Sequence, residues 1–204
     1  MMKFPPILIG LLIAACAGTI TPPEVPPTDF SSPPALTDKG YAITVVVRDF
    51  PMIRRDFRAW IADDNKVVQM LEPYESIAKP VDAVYFDGNW PDPGATRRVE
   101  LSDGHFLLER VLSNTPGAFE YQVWGLTSAA GRNVEHIHGI QAFEPLSGSE
   151  TRMTWTYKVK PDAGFKRPFV QRFVNREVTP FLEGGLGRLK VRAEAEVDIS
   201  ESGR

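Results

Sequence analysis

Two charged residues stand where apolar ones are expected. Arg97 alternates in phase with Val99 and Leu101, and Glu109 with Leu107 and Val111. On extended strands both therefore fall on the apolar face. A buried charge without a partner is very costly, so the two are expected to pair. Two roles stay open for the pair. It is a polar anchor for a carboxylate or hydroxyl on an apolar ligand, or it is a structural ion pair with Arg97 snorkelling at a rim. His136 and His138 form a His-x-His in phase with Val134 and Ile140. Such imidazoles can exchange protons near neutral pH from a pocket wall, or simply be satisfied structural histidines. They could bind zinc only with further ligands. His105 and Glu109 are the obvious recruits, and no HExxH or cysteine set supports them. No metal or cofactor is expected.

Aromatic residues alternate on two further segments. Phe119, Tyr121 and Val123 oppose Glu120 and Gln122, while Met153, Trp155, Tyr157 and Val159 oppose Arg152, Thr154, Thr156 and Lys158. The simplest reading is core; around an open cavity the same rings would contact an apolar ligand. Arg97, Glu109, Phe119, Tyr121, His136, His138, Trp155 and Tyr157 are thus the candidate ligand-binding set. Trp124 falls on the outer face. No serine sits in a GxSxG motif, and Gly184-Gly-Leu-Gly187 lacks the P-loop lysine pattern. No residue is assigned a catalytic role.

The elements that position these residues read as one α+β domain. The chain has 204 residues, 43% hydrophobic and 24% charged, which suits one globular domain and excludes a multi-span membrane protein. A net charge of −3 with no basic cluster argues against nucleic acid as a partner. Tyr41–Val47 is β-branched and apolar, a strand. Ile53, Phe57, Trp60 and Ile61 have helical spacing, and Val67, Val68 and Leu71 suggest a second helix that Pro73 stops. Pro80–Trp90 contains another strand, followed by the turn Trp90-Pro-Asp-Pro-Gly94. Segments 96–101, 105–112, 118–126, 133–143 and 150–160, each separated by a turn signal, have the spacing of an antiparallel meander. Such a two-faced sheet is expected to have one wet side. A long apolar stripe from Phe169 to Leu189 reads as a closing helix. Pro180 should bend it, and its glycines either permit close approach or mark unwinding.

The beginning of the chain carries an address. Lys3 precedes an apolar run from Ile7 to Cys16, too short to span a bilayer and suited to a secretory signal. Leu12-Ile-Ala-Ala-Cys16 resembles the bacterial lipoprotein signal. That resemblance implies acylation of Cys16, the only cysteine, and removal of residues 1–15. Ala17 in place of Asp implies, by resemblance to Gram-negative lipoproteins, the periplasmic face of the outer membrane. Pro-Pro pairs at 22–23, 26–27 and 33–34 read as an extended tether with little to bury. The expected divisions are 1–15 signal, 16–38 lipidated cysteine and tether, 39–195 domain, and 196–204 disordered tail.

Gly94–Arg98, Asp103-Gly104 and Glu109-Arg110, followed by FEYQVWG, TRMTWTYKV and the final helix, resemble the SRPBCC superfamily. More narrowly, they resemble its polyketide cyclase/dehydrase and lipid-transport group, over about residues 40–192. The resemblance implies a helix-grip fold: a curved antiparallel sheet around a long C-terminal helix, with an apolar cavity between them. It implies a hydrophobic small-molecule or lipid ligand, and no universal catalytic residue. Three readings follow. The first is a membrane-anchored periplasmic binding protein. The second is a cyclase/dehydrase-like enzyme using His136 or His138 with Glu109 as acid–base groups. The third is a structural lipoprotein whose core is filled.

Overall fold

Seven strands form one antiparallel sheet in the order β1-β7-β6-β5-β4-β3-β2. The structure is a computed structural model describing residues 20–62, 65–146 and 148–202. The signal segment and Cys16 lie outside the described residues. β1 (Ala42–Phe50) leads into two short helices, α1 (Arg54–Ala62) and α2 (Lys66–Gln69). The meander follows as β2 (Pro80–Asp87), β3 (Thr96–Leu101), β4 (Phe106–Asn114), β5 (Ala118–Trp124), β6 (Val134–Pro145) and β7 (Thr151–Pro161). β7 returns to pair with β1, Val46 opposite Trp155, so the first strand becomes an edge. A short helix α3 (Arg167–Phe173) and the long α4 (Thr179–Ser202) close the chain.

α3, the π-helical stretch Val174–Val178 that follows it, and α4 pack their apolar stripe against the inner face of the sheet. Val170, Val174, Val178, Phe181, Leu182, Leu186 and Leu189 are buried together with Val46, Trp155 and Val159. The bend anticipated at Pro180 takes a specific form. The π-helical stretch separates α3 from α4 and ends two residues before Pro180, so the wider turn falls where the proline ring would crowd the preceding one. The Thr179 amide and hydroxyl both donate to the Val174 carbonyl, the hydroxyl at 3.0 Å. Of the glycines in α4, Gly185 serves close approach: a Cβ there would lie 2.6 Å from Leu71 just after α2. The tail read as disordered from residue 196 instead continues α4 to Ser202. Ala193, Glu194, Ala195 and Glu196 favour a helix at its start, and the preceding turns already nucleate it.

The outer face of the sheet is not wet where it was expected to be, and the proline-rich segment is not a free spacer. Residues 20–38 lie against the outer surface as a strap. The Arg98 guanidinium donates to the Pro27 carbonyl at 3.2 Å, and Gln122 Nε2 donates to the Pro34 carbonyl at 2.6 Å. Phe30 packs 4.6 Å from Phe86 and 6.0 Å from Trp124, centre to centre. The six prolines of the three Pro-Pro pairs are half-buried, and beneath the strap Trp124, Leu108 and Phe106 are buried. The expectation failed because low hydrophobicity was equated with having nothing to cover. A polyproline segment offers ring faces and unpaired carbonyls, which an aromatic surface bearing donors can hold.

Candidate functional site

Between the inner face of the sheet and the helices lies a cavity of about 560 Å³. That volume is in the range of small-molecule sites. Its walls are apolar on three sides: Ile61, Val67 and Leu71 around α1 and α2; Val178, Phe181 and Leu182 at the π-helical stretch and α4; Val99, Leu107 and Ile137 from the sheet. The reading of a filled core is therefore not met.

Arg97 and Glu109 face this space as directly opposed residues of β3 and β4. Arg97 Nε donates to Glu109 Oε2 at 2.6 Å, with only 5% of the arginine side chain exposed. The guanidinium also lies 3.8 Å from the centre of the Trp90 ring, a cation–π contact. Arg97 Nη1 is buried without a hydrogen-bond partner among the described residues. A buried, unused donor of a charged group is a costly feature unless something fills it.

Four aromatics selected by alternation surround the pair. Phe119, Tyr121, Trp155 and Tyr157 all line the cavity. Trp155 Nε1 donates to the Tyr121 hydroxyl at 3.1 Å, and Phe119 stacks on Tyr121 with centres 5.5 Å apart. Burial pushes the Tyr121 phenol well above its ordinary range, with the neighbouring Tyr157 and Glu109 adding to the effect. Burial, then Glu109, raises Tyr157 likewise. Both phenols stay protonated through neutral pH. They thus add polar points to an otherwise greasy wall.

The two histidines are elsewhere. His136 and His138 sit on the outer face of β6, away from the cavity. A bulge between Val134 and His136 explains the error: Val134 and Ile137 both face the cavity, so phase counted from Val134 assigns the histidines to the wrong side. His136 Nε2 meets the Tyr41 hydroxyl at 2.8 Å, and His138 Nε2 meets Glu120 Oε2 at 3.1 Å. Burial lowers the His136 imidazole below its ordinary value, and Glu135 partly opposes this. His105, the other recruit considered, contacts Thr127 and the Ile20 carbonyl at the β3–β4 turn. The acid–base pairing of His136 or His138 with Glu109 is not assembled.

Other contributors escaped the sequence reading. Trp90 and Tyr85 come from a turn and an edge strand, where alternation gives little guidance, and Gln141 is a buried polar residue on β6. Gly139 had a usable signal. A lone glycine inside a strand marks close approach, and a Cβ at Gly139 would fall 2.2 Å from the Tyr121 ring. The missing side chain is what lets Tyr121 lie across the sheet.

With this geometry in hand, the comparisons identify the class. Residues 65–194 match the family described as polyketide cyclase / dehydrase and lipid transport, well over half of the chain, and the protein belongs to that family. Its fold is the helix-grip fold of the START/SRPBCC superfamily. Among solved structures, the Zhui aromatase/cyclase from Streptomyces sp. R1128 is similar at 13% identity and TM-score 0.57, covering 77% of this chain and 96% of its own. A START superfamily protein from Mycobacterium smegmatis is similar at 10% identity and TM-score 0.54, covering 75% of this chain and 97% of its own. Ginseng major latex-like protein 151 from Panax ginseng reaches TM-score 0.55 at 11% identity, covering 76% of this chain and 99% of its own. At these identities the likeness concerns the fold. No curated protein matches the sequence.

Proposed function

We propose that this protein binds a hydrophobic small molecule or lipid in the cavity, and that Cys16 anchors it to a membrane of the bacterial cell envelope. The observation carrying the binding reading is the unused Arg97 Nη1 donor in the wall of an apolar cavity of about 560 Å³. The family's description includes lipid transport, which supports the same reading. Arg97 is already neutralised by Glu109, so a second carboxylate beside Glu109 would be repelled. The fitting ligand is an apolar body with one uncharged acceptor, a carbonyl or hydroxyl, reaching Arg97 Nη1. Binding is favoured over catalysis because the cavity lacks the histidine that acid–base chemistry was expected to use.

The test is titration of the purified protein with a fluorescent fatty alcohol and the matching fatty acid. The parent should bind the alcohol more tightly than the acid, and Arg97→Met combined with Glu109→Leu should remove that preference while retaining apolar binding. A parent that binds neither probe overturns the ligand reading. The anchor is tested separately by mass spectrometry of the membrane-extracted protein: the parent should carry acyl chains on Cys16 after loss of residues 1–15, and Cys16→Ser should carry none. A parent whose Cys16 thiol is unmodified overturns lipidation.

A further inference from the structure

Three phenylalanines stand four residues apart where β7 passes into the closing helices. Phe165 lies in the 3₁₀ turn Gly164–Lys166, and Phe169 and Phe173 lie in α3. Spacing of four along a continuous helical stretch places them on one side. Their surroundings change along the row. Phe165 is 76% and Phe169 72% exposed, whereas Phe173 is half-buried and lines the cavity. The row therefore runs from open solvent to the wall of the binding space.

Among the described residues nothing covers the outer two rings. Pro168 between them is exposed, and exposed Arg167 and Arg172 flank them. The acid of the same loop, Asp162, is held by Lys166 Nζ at 2.8 Å. Bare aromatic rings bordered by arginines match the chemistry of a lipid headgroup region, where rings sink below the phosphates and guanidiniums meet them. Chain direction adds a second observation. The Asp162 amide bonds to the Asn133 carbonyl beside the start of β6, and the Ile20 carbonyl lies 3.2 Å from His105 Nε2 at the start of β4. Both strands start at one end of the sheet, so Ile20, where the described strap begins, lies at the end that bears the phenylalanines. Four residue steps separate Cys16 from Ile20, a reach of at most about 14 Å.

We propose that the Phe165–Phe169–Phe173 row is a lipid-docking doorway: its outer rings insert into an anionic bilayer surface, and Phe173 lies where an apolar ligand passes between bilayer and cavity. Docking stands independently of acylation at Cys16, while ligand passage rests on the binding reading above.

The experiment uses residues 16–204 carrying Cys16→Ser, the form expected after removal of residues 1–15, so that acylation, the apolar run before Cys16 and the only cysteine are all absent. Flotation with phosphatidylcholine vesicles containing a quarter phosphatidylglycerol compares it with the same chain bearing Phe165→Ser and Phe169→Ser. Exposed rings contribute little to folding, so the double variant should unfold at the parent's midpoint and bind the fatty alcohol equally in solution. Its vesicle partition should fall by about tenfold or more. A polarity-sensitive dye on Phe169→Cys should brighten and shift to the blue on vesicles, while the dye on Ser149→Cys, at the opposite end of the sheet, should not. Equal partition of parent and double variant, with an unresponsive dye at position 169, overturns docking. Loss of the anionic preference with retained ring insertion overturns the role of the arginines alone. A parent that docks but takes up no fatty alcohol in solution overturns ligand passage and leaves docking intact.

Discussion

The two faces of one sheet solve opposite problems. The inner face is lined with large aromatics yet leaves space, because Gly139 withholds a side chain where Tyr121 crosses and the helices stand off from the strands. The outer face over β2 to β5 is also aromatic, with Phe86, Phe106 and Trp124, yet it is closed by residues 20–38 of the same chain. Each face places donors among its rings. On the outer face Arg98 and Gln122 have carbonyl acceptors from the strap. On the inner face Arg97 keeps a donor unused. Among the described residues, buried polar atoms without a hydrogen-bond partner occur on both faces, Thr96 Oγ1, Arg110 Nε and His136 Nδ1 outside and Arg97 Nη1 inside, but of these residues only Arg97 borders open space. The comparison teaches that an aromatic face covered by its own chain reads as structure, and one that borders a cavity reads as a site.

The sharpest way to break this contrast is at Glu109. Glu109→Ala leaves the Arg97 guanidinium buried without its counter-charge and should cost about 3–5 kcal/mol. Replacing both residues with apolar ones of similar size, Arg97→Met with Glu109→Leu, should recover most of that loss and abolish the alcohol preference. Denaturant unfolding of parent, single and double variants measures it. A single variant as stable as the parent would mean that the pair is solvated and the cavity wet.

The outer face gives a smaller effect. Phe30 is half-buried against Phe86 and Trp124, so Phe30→Ala should lower stability by about 1 kcal/mol. Deleting residues 21–34 should lower it further, because Trp124 and Leu108 become exposed. Ligand affinity should change little, since these residues face away from the cavity. An unchanged thermal midpoint on deletion would restore the strap to a free spacer.

Much of the inner face was legible because alternation is a local signal. Arg97, Glu109, Phe119, Tyr121, Trp155 and Tyr157 all reach the cavity as their phase predicts. Phase fails where a strand inserts an extra residue, and the bulge at Glu135 carried His136 and His138 to the other side. The strap was illegible for a different reason. Its partners lie scattered over β2 to β5, and nothing in a run of prolines states which surface will receive it. Trp90 was hidden likewise, since a turn residue over Arg97 has no period to betray it. Local pattern gives faces; long-range contact between irregular segments leaves no trace in it.

The smallest expected effect separates the two faces by pH. The folded-state pKa of His136 is depressed below the ordinary 6.5, chiefly by burial, with Lys160 and His138 acting in the same direction and Glu135 against it. Below 6.5 the unfolded chain therefore binds a proton that the folded chain resists. The stability contributed by neutral His136 is complete above that value and is lost as pH falls from 6.5 towards the folded pKa. His136 lies on the outer face against Tyr41, so acidification should loosen that face first. The inner face should respond otherwise: Tyr121 and Tyr157 are raised, stay protonated here and contribute no slope. His136→Asn keeps an acceptor for the Tyr41 hydroxyl without a titrating ring. It should remove this part of the decline in unfolding midpoint between pH 7.5 and 5.5, leaving fatty-alcohol affinity at pH 7.5 unchanged. An identical decline in parent and variant would place the acid-sensitive group elsewhere. A loss of alcohol affinity would show that the two faces are coupled through β6.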